Sequence, residues 1–327
     1  MLKLKYQIAM WVSGLALMLS AGFHPSPAQE RASPFSGALA AADLQSPSVI
    51  RVSSNLVMVP VSVTDAEGRV VQNLAKDDFQ IAEDGKSEPI SRMAEAGQSP
   101  LQLALLFDLS GSVNNRFEFE LQAATRFLEK VWKPGDAVTV IAFSEKPQVI
   151  LRNSRSLTDA LQDLMKLQPT ESATAFYDSV AESAKLLRQS AVPETRQAEV
   201  VLSDGEDNRS DGTIVDAIRE VQRSDAIFYS INPGGHSIRL NEISMKGQQD
   251  MTALANETGG TAFVSDQVGD LEGIFGRIAT ELRAQYLLGY YSSNPRLDGK
   301  FRRIAVSIPN RPDLHVHSRQ GYYAIQK

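Results

Sequence analysis

Three observations predict an α/β fold with a doubly wound, mostly parallel sheet and a small flanking β domain. Between residues 98 and 285, short apolar runs alternate with segments of helical spacing. Leu101–Phe107, at the head of that region, reads as a buried strand that stops at an aspartate. On both sides of the region the pattern changes to period-two alternation, with turn residues between short strands.

The elements follow in chain order. Lys3 and Lys5 precede an apolar run from about Ile8 to Ala21, and small residues and prolines lead to Ser26 and Ala28. This is the layout of a secretory signal cut after Ala28; the apolar run is shorter than the roughly 18 residues that a spanning helix needs. Residues 29–50 are rich in Ser, Pro and Ala and read as a flexible leader. Residues 51–97 form the N-terminal part of the β domain. Val57, Val59, Val61 and Val63 alternate there, and turns fall at Asp65–Gly68 and Asp84–Gly85, with short strands after each.

Within 98–285 the expected helices are Arg116–Val131, Leu157–Leu167, Ala175–Arg188, Ile214–Ser224, Met251–Thr258 and Leu271–Gln285. The strands after Leu101–Phe107 are Ala137–Phe143, a short one from Pro147, Ala198–Leu202, Ala226–Ile231 and Thr261–Val264. The polar stretch 234–249, "GGHSIRLNEISMKGQQ", reads as an insertion at the rim and a candidate specificity loop. Residues 286–327 return to β character, and the two terminal β segments, each too small for a core alone, are expected to share one.

The 327-residue chain has 33 Lys and Arg against 39 Asp and Glu, a net charge of −6. Removal of residues 1–28 takes two lysines and no acid, so the mature balance is −8. Such a chain is a poor partner for nucleic acid or anionic lipid, and no second segment reads as a membrane span. There is no cysteine, hence no disulfide and no lipidated cysteine.

The chemistry concentrates at strand ends. Asp108, Ser110 and Ser112 fall just past the carboxyl end of the first α/β strand in "LLFDLSGSVNNR". Open parallel sheets bind ligands outside the carboxyl ends of strands, where strand order reverses. Asp204 ends another strand in "VVLSDGEDN", and the loop "PTESATAFYD" offers Thr170, Ser172 and Thr174. Two carboxylates with hydroxyls, and neither thiol nor histidine, suit a hard cation such as Mg²⁺; Mn²⁺ and Ca²⁺ share the preference for oxygen. Few direct carboxylates leave the metal electrophilic toward an anionic group from outside.

Asp108-Leu-Ser110-Gly-Ser112, Thr174 and Asp204 in "LSDGEDN" resemble the metal-ion-dependent adhesion site (MIDAS) of von Willebrand factor type A (VWA) domains. The flanks resemble those of exported bacterial proteins called VWFA-related. The resemblance implies that Ser110, Ser112 and Thr174 ligate the metal directly or through water, that Asp108 and Asp204 act largely through water or hydrogen bonds, and that a partner's acidic side chain completes the shell. The loop "ESATAFYD" lacks the glycine that many members carry near the threonine, so Thr170 competes with Thr174. Asn114, Glu206 and His236 are the candidate partner contacts. The implied function is that of an exported, non-enzymatic, metal-dependent binding module.

Other readings carry less. A part in a surface or secretion assembly is the second class. Phosphotransfer through an aspartyl phosphate wants an acid where Ser110 stands, and the chain has no phosphate loop, no G-x-S-x-G elbow and no H-E-x-x-H. His315 and His317, two apart on a strand, read as a solvated sheet face. Glu206, Asp207 and Asp211 read as loop solvation, and Asp178 as an acid favoured by a helix dipole.

Overall fold

The computed structural model describes residues 56–110, 117–234, 242–265 and 270–325. The expected signal and leader, Ser112, Asn114 and His236 lie outside these residues. The alternation at the start becomes β1 (Leu56–Thr64), whose four valines are at most 5% exposed. β2 (Gln80–Glu83) and β3 (Lys86–Glu88) form a hairpin over Asp84 and Gly85. Both turn residues have positive φ (48° and 82°), the conformation whose twist matches a two-residue hairpin. β4 (Ile90–Ala94) follows.

The strand expected directly after the Asp65–Gly68 turn does not form; the chain touches β1 there only through a bridge from Thr64 to Val70. Both edges of β1 are taken by C-terminal strands. The next residues instead dock through Tyr286, whose hydroxyl donates to the Val71 carbonyl (3.0 Å) and accepts from the Leu74 amide (3.1 Å).

The α/β region runs β5 (Leu101–Asp108), α1 (Phe117–Val131), β6 (Ala137–Phe143), β7 (Pro147–Ser154), α2 (Leu157–Leu164), α3 (Phe176–Gln189), β8 (Arg196–Leu202), α4 (Ile214–Ser224), β9 (Ile227–Asn232), α5 (Glu242–Thr258), β10 (Ala262–Val264) and α6 (Asp270–Ala284). The six strands lie in the order β10-β9-β8-β5-β6-β7. All pairs are parallel except β6 with β7. Every residue of β5, β6, β8 and β9 is buried, because helices cover both faces. One face packs on α1, α2 and α6, and the other on α3, α4 and α5.

The helix expected from Met251 begins at Glu242, so residues 242–249 are its first two turns and not loop. Polar residues fill those turns, and the only apolar members, Ile243 and Met245, are exposed, which hides the helical period. Residues 235–241 of the proposed rim loop lie outside the described residues.

β11 (Tyr286–Tyr291), β12 (Phe301–Ser307), β13 (His315–Ser318) and β14 (Gly321–Tyr323) complete two antiparallel sheets, β13-β1-β11-β4 and β14-β12-β2-β3. Both termini feed one core, with Val59, Val61, Phe79 and Ile81 against Leu288, Tyr290 and Ile304. A buried polar network crosses it. Glu83 accepts from the hydroxyls of Tyr290 (2.7 Å), Tyr322 (3.0 Å) and Ser292 (2.7 Å) and pairs with Arg302 (3.3 Å). Arg319 bonds the Met58 carbonyl and pairs with Asp225, the left-handed cap of α4, tying the β sheets to the α/β layer. His315 and His317 are exposed on β13. Among the described residues no helix is long and apolar enough to cross a membrane.

Candidate metal centre

Counted from β5 within the α/β region, the strand order is 6-5-4-1-2-3, so the chain leaves β5 in one direction and returns on its other side at β8. The reversal falls between β5 and β8, which pair in register with Phe107 beside Leu202. A crevice for ligand forms at such a switch point because the connections from its two strands leave toward opposite faces. Asp108 ends β5, and Ser203 and Asp204 leave the end of β8.

Asp108 is 1% exposed and Ser110 is 3% exposed. The Ser110 amide donates to Asp108 Oδ1 (2.9 Å), and the Ser203 hydroxyl donates to Oδ2 (2.7 Å). Burial pushes the Asp108 carboxyl up to about 6; the negative charge of Asp204 adds to the shift, and the bonds from Ser110 and Ser203 oppose it. Asp204 is half-buried and accepts the Glu206 amide (3.1 Å), which turns its loop back on itself.

Thr174, 5% exposed, precedes α3 and is pinned on both sides. Its amide donates to Asn208 Oδ1 (2.8 Å), its carbonyl accepts the Asn208 amide (3.1 Å), and the next amide, Ala175, donates to the Ser144 carbonyl (2.7 Å). Its hydroxyl has no hydrogen-bond partner among the described residues. The Thr170 hydroxyl is committed to the Leu109 carbonyl (3.0 Å), which also receives the Thr170 amide (2.6 Å).

The acids around Asp204 have structural work. Asp207 accepts from the Tyr177 amide (3.0 Å) and the Ser210 hydroxyl (2.5 Å), so it organises the loop rather than solvating it. Asp178 accepts the amides of Asp211 (2.9 Å) and Gly212 (3.0 Å), a fixed tie between α3 and the Asp204 loop rather than a mere helix-dipole charge. Glu206 is half-buried and takes the Ser244 hydroxyl of α5; Asp211 is exposed. The loop also touches α5 through glycines. Gly205 has φ 76°, and a Cβ on Gly247 would stand 2.7 Å from the Gly205 carbonyl carbon and 2.9 Å from the Asp204 carbonyl oxygen.

Sequence reasoning missed Ser203, Asn208 and Gly247. Ser203 and Asn208 stand inside the quoted "VVLSDGEDN", but their partners are 95 and 34 residues away in the chain, and only the strand order brings them together. Gly247 was hidden by reading its helix as loop.

The donors fit a divalent cation by their chemistry: carboxylates and hydroxyls, with no sulfur or imidazole among those described. No group of three or more Asp, Glu, His or Cys side chains suited to a metal occurs among the described residues, so any such ion here depends on hydroxyls and water.

Residues 103–206, which include Asp108, Ser110, Thr174 and Asp204, match the family model of the von Willebrand factor type A domain. No curated protein matches it. Among solved structures it is similar to the PilB minor pilin from Streptococcus sanguinis (15% identity, 61% of this chain and 64% of that one, TM-score 0.45). It is also similar to a von Willebrand factor type A protein from Catenulispora acidiphila (15% identity, 70% and 50%, TM-score 0.46). A third is proximal thread matrix protein 1 from the mussel byssus with a zinc-occupied MIDAS motif (15% identity, 62% and 50%, TM-score 0.48). The chain spans less than two thirds of each of these three, and the likeness is one of fold.

Proposed function

We propose that this protein is an exported binding module. It holds a divalent cation, Mg²⁺ foremost, with Asp108, Ser110, Ser112, Thr174 and Asp204, and engages an Asp or Glu side chain of a protein partner. The observation that carries this reading is the placement of Asp108. A carboxylate is buried at the sheet's switch point, held by the amide and side chain of Ser110 and by the Ser203 hydroxyl, beside a second carboxylate loop. A carboxylate offers about four acceptor sites, so Asp108 keeps capacity beyond these bonds for a metal's water shell. Thr174 is the better threonine ligand, since the Thr170 hydroxyl is turned onto backbone. When bound, the cation supplies a positive charge and a coordination position for an outside carboxylate; the chain's own groups orient it and screen it from solvent on the sheet side. Among the described residues of this arrangement, none is placed to activate a nucleophile, which favours binding over catalysis.

The test is thermal unfolding of the protein with increasing Mg²⁺ or Mn²⁺, beside Asp108→Ala. Binding to the native state at tenfold excess over Kd adds about 1.4 kcal/mol. A shift in the wild type that is lost in the variant is the expected result, and no shift in either refutes the reading. Export is tested by the N-terminus of the secreted form, expected at Gln29.

A further inference from the structure

We infer that Ser203 is a positioning residue of the metal site, setting the orientation of the Asp108 carboxylate from the loop that carries Asp204. This deepens the function proposed above and rests on it.

Ser203 is 0% exposed, so no bulk water competes for its hydroxyl. The Gly205 amide donates to Ser203 Oγ (3.0 Å), and Oγ stands 2.7 Å from Asp108 Oδ2. With an N–H entering from Gly205, the hydroxyl proton is directed to the carboxylate. The two bonds form a one-way relay, Gly205 N–H to Ser203 O–H to Asp108. It crosses from the end of β8 to the end of β5, the pair of strands between which the chain reverses.

The other Asp108 oxygen is bonded from its own loop by the Ser110 amide. Ser110 also bonds Asp108 through its side chain, so the carboxylate is held from its own loop by Ser110 and from the opposite side of the switch point by Ser203 alone, and together they fix its plane. If the Ser203 hydroxyl is removed, Oδ2 loses its donor from the β8 side, and the carboxylate is oriented only from its own loop, by Ser110. The relay begins at Gly205, the residue that abuts Gly247 of α5, so the position of the Asp204 loop against that helix is passed to Asp108. A hydroxyl that merely satisfied a strand end would affect stability and leave the cation's affinity alone. A hydroxyl that orients a water-binding carboxylate changes affinity in a protein that remains folded, as outer-shell partners of metal ligands do.

The experiment is isothermal titration of the full protein with Mg²⁺, comparing wild type, Ser203→Ala and Asp108→Ala, with circular dichroism to establish folding. Ser203→Ala is expected to weaken Mg²⁺ binding about tenfold or more. A folded Ser203→Ala variant whose Kd lies within about twofold of wild type overturns the inference. Ser203→Thr and Ser203→Val, alike in shape and different in the hydroxyl, decide the matter if the alanine variant fails to fold. Retained affinity in the threonine form and lost affinity in the valine form support the relay, and equal affinities overturn it. Absence of binding by the wild type removes the proposed function itself, an outcome distinct from wild-type binding that Ser203→Ala leaves intact.

Discussion

Glu199 offers a quantitative test of how the central sheet is built. It lies in the middle of β8, between Ala104 of β5 and Phe228 of β9, and is 0% exposed. Neither carboxyl oxygen has a hydrogen bond of ordinary geometry among the described residues. Burial holds its carboxyl well above the ordinary value of 4.5, and the Ser183 hydroxyl on α3 only partly opposes that shift. The native side chain is thus neutral where the unfolded one is ionised. Stability from this group is fully present below the unfolded value and falls as pH rises, until the native carboxyl also ionises. One proton corresponds to a slope of about 1.4 kcal/mol per pH unit. Glu199→Gln keeps the shape and removes the proton. Urea unfolding at pH 5, 6 and 7 should show the variant gaining on the wild type as pH rises, approaching that slope for as long as the native carboxyl keeps its proton. Asp108 also titrates high, but it is present in both proteins and cancels in the difference. Parallel stability profiles for the two would refute the reasoning and show that the native carboxyl is ionised in place.

Four further outcomes follow from the geometry. Glu83→Ala leaves Arg302, 4% exposed at its side chain, without its buried carboxylate and should cost about 3–5 kcal/mol in chemical unfolding. Arg69→Ala breaks a pair in which the arginine is 74% exposed and should cost under about 1 kcal/mol, so equal losses would deny the network its structural role. Gly247→Ala forces a methyl onto the backbone of Asp204 and Gly205; an overpacking loss of about 1–3 kcal/mol and weaker Mg²⁺ binding are expected, and an unchanged Tm in the metal-free protein would contradict it. Asn208→Ala removes the side-chain bond to the Thr174 amide and should cost about 1 kcal/mol and loosen metal binding, read by unfolding and titration together.

What could be read from sequence depended on whether the signal was local. Ile214–Ser224 was bounded correctly because its ends are written in neighbouring residues: Thr213 and Asp216 cap each other's amides, and Asp225 takes the left-handed turn at the exit. The Asp84–Gly85 hairpin was legible for the same reason. The strand after Asp65–Gly68 was not, because whether a turn leads into a paired strand depends on a free edge, and β1 gives both edges to residues more than 200 positions later. The start of α5 was missed because that helix buries Gly247, a residue that gives no apolar signal, against another glycine.

The same distinction applies within the candidate site. Asp108, Ser110 and Asp204 announce themselves by type and by their place at strand ends, whereas the groups that orient them are ordinary residues made specific by topology. Because the chain reverses between β5 and β8, the loops leaving those strands become neighbours although they are separated by nearly a hundred residues. Three contacts register the loops: Ser203 on Asp108, Asn208 on the Thr174 backbone, and Gly205 on Gly247. All three arise from the segment 203–208. A displacement of that segment therefore reaches Asp108, Thr174 and Asp204 at once, and in the proposed site cation affinity would depend on how the segment is seated on α5 and α3 as much as on the proposed ligands themselves.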